Sequence, residues 1–195
     1  MPIREKIAKV LILFAMVATI VSIFFPYWRL KISAPQYPKG LKVVVYLNRN
    51  EGDVGEIDNL NHYIGMRPLV EAAKIERQLA MFGVGILLFC LVLASVFSNK
   101  KSAFLLVPGI FFPLFFVGDL YYWMRSFGLN LDPHAALSSS VKPFIPPIFG
   151  AGKIAQFQAF AQFDMGFYLC MTASVLILAC FLIRLNARHQ VLCEK

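Results

Sequence analysis

The chain has 195 residues, of which 58 % are hydrophobic and 15 % charged, with 19 Phe and a mean hydropathy of +0.66. That apolar share is well above what a soluble domain carries and reads as an integral membrane protein. The net charge of +8 comes from Lys and Arg spread through loops and tails without a basic, aromatic-laced stripe, which excludes nucleic acid as a partner and suits a lipid bilayer.

A bilayer span needs about 20 predominantly apolar residues. Four stretches meet that in chain order: 7–25, 79–97, 103–123 and 165–183. Arg4, Lys6 and Lys9 precede the first, as in a secretion signal. Its apolar run is too long for one, however, and ends in Phe24-Phe25-Pro26-Tyr27-Trp28 without a small-residue cleavage site. An uncleaved helix anchored by Tyr27 and Trp28 is the expectation.

The segment 26–78 follows. Arg29 to Ser33 alternates basic with apolar residues, Leu41 to Leu47 is rich in Val, and Ala34 to Gly40 between them is turn-forming. This pattern predicts a β-hairpin that must pack on something else. After Pro68, one long helix is expected from Leu69 to Phe97, with Gly83-Val84-Gly85 allowing close helix packing. The third span carries Pro108 and Pro113, which should kink it, and ends in the aromatic belt Tyr121-Tyr122-Trp123. In 125–164, Pro133 to Leu137 suggests a short helix. The spacing of Ile154, Phe157, Phe160 and Phe163 suggests an interfacial helix leading into the fourth span.

The predicted fold class is therefore an all-α membrane protein: four transmembrane helices with a small extracytoplasmic β-hairpin and loop region, one membrane domain over 1–195. Eight Lys and Arg lie in the short segments on one side and eleven in the two long segments on the other. Basic density in short loops favours both termini in the cytoplasm, with an inner-membrane location. Cys90, Cys170 and Cys180 fall inside spans and Cys193 in the tail, so the long segments hold no disulfide.

Few residues offer chemistry. His62 precedes Met66 by four positions, one helical turn, with Tyr63 beside it, and imidazole with thioether is a copper-favouring pair. His134 would add a third ligand if the two long segments meet, with Asp132 nearby and Met124 as a further soft donor. The plain alternative is that His62 bonds a backbone carbonyl and Met66 packs. Asp119 is the only acid well inside an apolar run. Such a residue either supports a site near the membrane face or pairs with Arg29, Arg67 or Arg125. No His lies within a span for haem ligation, and no Cys pair is available for thiol oxidation. No phosphate loop or catalytic triad is evident either, so no enzymatic activity is expected. Ser138-Ser139-Ser140 reads as loop.

Three segments, Ala34-Pro35-Gln36-Tyr37-Pro38-Lys39-Gly40-Leu41, Leu60-Asn61-His62-Tyr63-Ile64-Gly65-Met66 and Asn130-Leu131-Asp132-Pro133-His134-Ala135-Ala136, together resemble a family of small four-span bacterial membrane proteins. That family is associated with nitrous oxide reductase accessory gene clusters, which serve copper-centre assembly. The resemblance covers roughly a quarter of the chain and implies copper as cofactor and a membrane accessory role in metalloenzyme maturation. A structural or assembly subunit of a respiratory or copper-enzyme complex, with a protein partner and no metal of its own, is the alternative. A small transporter or quinone-interacting protein is a weaker third.

Overall fold

The computed structural model describes residues 3–34, 37–97, 100–137, 139–155 and 157–193. Pro35 and Gln36 of the hairpin turn, Ser98 and Asn99 of the tight connection, Ser138 and the terminal Lys195 lie outside the described residues. In chain order the elements are α1 (Ile3–Ser22), β1 (Trp28–Ala34), β2 (Tyr37–Val45), β3 (Asn50–Gly52), α2 (Val54–Ile64), α3 (Lys74–Val96), the short α4 (Lys100–Ala103), α5 (Val107–Leu129), β4 (Gly150–Ile154), β5 (Phe157–Phe163) and α6 (Met165–Cys193).

The five strands form one antiparallel sheet in the order β3-β2-β1-β5-β4. This overturns the all-α expectation. The hairpin read from residues 29–47 is present as β1 and β2, but it is only part of a sheet completed by β4 and β5. The interfacial helix expected over 151–164 is instead the β4–β5 hairpin. Its Phe residues recur every third position, yet burial follows a period of two: Ala159 and Ala161 face inward while Gln158, Phe160 and Gln162 face outward. Pairing with β1, from Trp28 opposite Phe163 to Ser33 opposite Gln158, satisfies the backbone along the whole segment and decides the outcome.

The span count is also corrected. Among the described residues, three helices are long and apolar enough to cross a membrane, over Leu69–Val96, Phe104–Leu129 and Met165–Leu185. α1 is not among them: it begins at Ile3 and takes in Arg4, Glu5, Lys6 and Lys9, which leaves only residues 10–22 of the helix free of charge. The long helix expected from Leu69 is interrupted. A single 3-10 turn, Leu69–Glu71, precedes α3, and Ala73 between them takes a left-handed φ of 49°. Asp58 braces this turn, its carboxylate accepting from the amides of Leu69 (2.5 Å) and Val70 (3.3 Å).

The helices pack around Ile12, Leu91, Leu106, Ile177 and the small residues Ala8, Ala15 and Ala94. Pro108 falls in the first turn of α5, where its missing amide costs nothing. Pro113 sits inside the helix, so the Gly109 carbonyl loses its helical donor. The Ser174 hydroxyl of α6 donates to that carbonyl at 2.7 Å. A Cβ on Gly109 would come within 2.6 Å of the Ile177 side chain, so this is the close helix crossing. By contrast, a Cβ on Gly83 or Gly85 would meet nothing within 4 Å. The expected close packing at that step is absent.

β1 runs on from α1, and β5 leads into α6, so the two central strands of the sheet stand on two packed helices. The joint is tight. Tyr27 is fully buried, its hydroxyl 2.8 Å from the Ser22 hydroxyl. Burial, aided by the nearby Cys170, pushes the Tyr27 pKa well above its ordinary value, so the phenol stays neutral. Gly166 donates to the Pro26 carbonyl at 2.8 Å, and Asp164 pairs with Arg29 across the joint. One face of the sheet, carrying Trp28, Leu30, Ile32, Leu41, Val43 and Ala161, is buried against α2, the end of α5 and the loop before β4.

Candidate functional site

Two hollows lie beneath and beside this core. The first is a cleft of about 780 Å³ bordered by the end of α2 and by the loop that follows α5. α2 stops at Ile64 because Gly65 adopts φ 79°, ψ 16°, with its amide and that of Met66 both turned back on the Asn61 carbonyl. This is a glycine C-cap with the longer turn-closing bond added. Gly65 is required twice over, because a Cβ there would lie 2.7 Å and 2.8 Å from the carbonyl oxygen and amide nitrogen of Asp132.

The two long segments therefore meet at this point. The Asp132 amide donates to the Gly65 carbonyl (2.8 Å), and the Leu137 amide donates to the Tyr63 carbonyl (2.9 Å). In place of the short helix expected at Pro133 to Leu137 there is a turn, closed by the Asp132 carboxylate accepting from the His134 amide at 2.9 Å.

His62, Met66 and His134 all border the cleft, as do Tyr63 and Asp132. Both histidines are exposed. Tyr63 is 56 % exposed, and its ring meets His62 edge-on at 6.2 Å between centroids. Met66 differs: it follows the left-handed residue, so it leaves the helical face of His62 and turns into the core at 6 % exposure. Met124 is buried in the same core.

Among the described residues, no three His, Cys, Asp or Glu side chains are grouped to hold a metal ion. The donors on offer are thus two accessible imidazoles with a largely buried thioether behind them. Zinc-type structural sites are closed, four-ligand cages, and this set does not make one.

The second hollow is a crevice of about 360 Å³ between α3, α5 and the β1–β2 part of the sheet. Asp119 lines it, along with Glu76 and Arg77. Of the three arginines offered as partners for Asp119, Arg29 pairs with Asp164 instead. Nothing in the spacing of the sequence announced this crevice. Its nearest signal was the lone acid at position 119 in an apolar run.

The chain matches no family model and no curated protein.

Proposed function

We propose that this membrane protein is a non-enzymatic accessory factor that captures copper reversibly in the cleft and supports its delivery to a respiratory copper enzyme. His62 and His134 would hold the ion, and imidazole suits copper among the metals such donors take. Met66 would lie beneath them as a soft, mostly shielded neighbour, with Asp132 fixing the backbone at His134. In this reading the C-terminus is cytoplasmic, the membrane is the inner one, and the sheet with its cleft stands outside.

The observation that carries the reading is the shared wall. Two histidines separated by 72 positions in the chain border one cleft, and backbone hydrogen bonds at Gly65 and Tyr63 fix the segments together there. The test is anaerobic titration of the detergent-solubilised full chain with Cu(I) against a chromogenic competitor. His62→Ala and His134→Ala should each weaken binding by about tenfold or more, because even groups supporting a ligand are worth ~10–100-fold. Wild-type affinity in both variants would reject the site.

A second reading, an assembly subunit with a protein partner, has its own observation. Lys31 and Lys42 stand directly opposite each other on the exposed face of the sheet, with half-exposed Phe160 opposite Lys31 on its other side. Facing like charges destabilise a sheet, and an acidic partner would relieve the repulsion. Recovery of a partner in mild detergent, lost when both lysines are changed to Glu, supports that reading. Unchanged recovery from the double variant counts against it.

A further inference from the structure

The crevice at Asp119 lies between the sheet-side ends of two candidate spans, α3 and α5. α3 packs on α1 and on the turn Phe104–Leu106 but makes little contact with α5, and the gap between the two helices is roofed by Trp28, Leu30 and Val43 of the sheet. Gly83 borders the gap and a Cβ there meets nothing. A volume of about 360 Å³ lies in the range of small-molecule sites. The walls are apolar and rich in aromatic rings, Phe112, Phe115 and Phe116 among them.

The charge inside is opposite to that of the chain as a whole. Asp119 and Glu76 both line the crevice and lie within electrostatic reach of each other. The one cation among the lining residues, Arg77, lies within electrostatic reach of Glu76 and donates its hydrogen bonds to backbone carbonyls, Val70 at 2.6 Å and Ala73 at 3.4 Å. Two carboxylates thus line a mostly apolar hollow at the sheet-side ends of two candidate spans, beside the indole of Trp123. Ionisable groups in apolar surroundings are expensive unless something of opposite charge meets them.

We infer that the crevice binds a phospholipid of the leaflet on the sheet side whose headgroup ends in a primary ammonium. The ammonium donates hydrogen bonds to Asp119 and Glu76, with aromatic faces nearby to favour a cation. The acyl chains lie along the phenylalanines of α5. A primary ammonium carries three N–H donors for carboxylate oxygens, whereas a choline headgroup has none and a glycerol headgroup leaves the lipid anionic. The ligand is therefore an aminophospholipid, and the site is independent of the metal reading.

The experiment uses the full chain in nanodiscs of phosphatidylcholine doped with phosphatidylethanolamine or phosphatidylglycerol, with retained lipid measured by native mass spectrometry after detergent release. The chain should retain phosphatidylethanolamine at about tenfold excess over its share of the disc, equivalent to ~1.4 kcal/mol of preference. Asp119→Asn and Glu76→Gln should each reduce that preference. Gly83→Leu, which puts a side chain into the gap at a position with open space, should abolish retention while leaving helical circular dichroism unchanged. Equal retention of phosphatidylcholine or phosphatidylglycerol would overturn the inference. So would an undiminished preference in both carboxylate variants, or a partner polypeptide occupying the gap in place of lipid.

Discussion

Trp28→Ala is expected to be the most destabilising single change in the sheet-bearing half of the molecule. Trp28 is 2 % exposed and sits at the start of β1, where α1 hands over to the sheet, paired with Val45 on one side and Phe163 on the other. Truncating a buried aromatic of this size costs about 3–5 kcal/mol, depending on how far the surroundings collapse. The indole also donates to the Ile148 carbonyl at 2.7 Å, tying down the loop before β4. Losing that donor adds a smaller penalty, since a buried acceptor left alone costs about 1–3 kcal/mol. Trp28→Phe separates the two terms, because it keeps most of the volume and removes only the donor. The helical bundle packs around a different cluster of residues. The Ala variant should therefore keep its helical circular dichroism while the sheet and the 139–150 loop become open to protease in mild detergent. The Phe variant should show a milder form of the same change. Protease resistance equal to wild type in Trp28→Ala would show that the sheet does not depend on this anchor.

The first half of that sheet was legible beforehand and the second half was not, for a physical reason. In β1, Leu30 and Ile32 alternate with Arg29 and Lys31, and the alternation of bulky apolar with charged residues is visible at once. In β5 the inward residues are the small Ala159 and Ala161, whereas large Phe160 points outward. A reading that weighs side-chain bulk then sees Phe at every third position and infers a helix. What overrides it is a long-range partner, the free edge of β1, which no local pattern contains. The same limit applied at α1. Its apolar stretch was plain, but the helix extends back into charged residues and so spans a different length from the stretch that announced it. At the cleft, His62 and Met66 could be singled out from their spacing, and His134 only as a residue that would join them if the two long segments met. That the Asp132 loop would dock on the Gly65 turn is a tertiary fact. So is the burial of Met66, which follows from the chain reversing at Gly65 instead of continuing the helix. The crevice was hidden most completely, because it arises where α3 and α5 make little contact beneath the sheet, and no residue type marks which helices will pack together.

Gly65 offers the sharpest test of how that tertiary fact serves the cleft. At φ 79° it occupies a region where an L-residue pays about 1–2 kcal/mol. A Cβ would also press on the Asp132 backbone at 2.7 Å and 2.8 Å and on the Ala135 methyl at 3.0 Å. Backbone atoms held by a hydrogen bond between Asp132 and Gly65 cannot move aside as a flexible side chain would. Overpacking of this kind adds about 1–3 kcal/mol, so Gly65→Ala should cost roughly 2–5 kcal/mol in all, and Gly65→Val more. The cheapest relief is to release the 131–137 loop, which carries His134 away from His62 without disturbing either imidazole. If copper capture depends on the two segments being joined, Gly65→Ala must weaken Cu(I) binding as much as His134→Ala does, and the double variant must be no worse than either alone. Gly83→Ala is the matched control. Its Cβ meets nothing and its φ is not left-handed, so alanine there should be neutral or stabilising by up to ~1 kcal/mol. Hydrogen exchange at the Asp132 and Leu137 amides reports the release directly. Rapid exchange in Gly65→Ala together with unchanged copper affinity would mean that the junction shapes the fold and the metal reading is wrong.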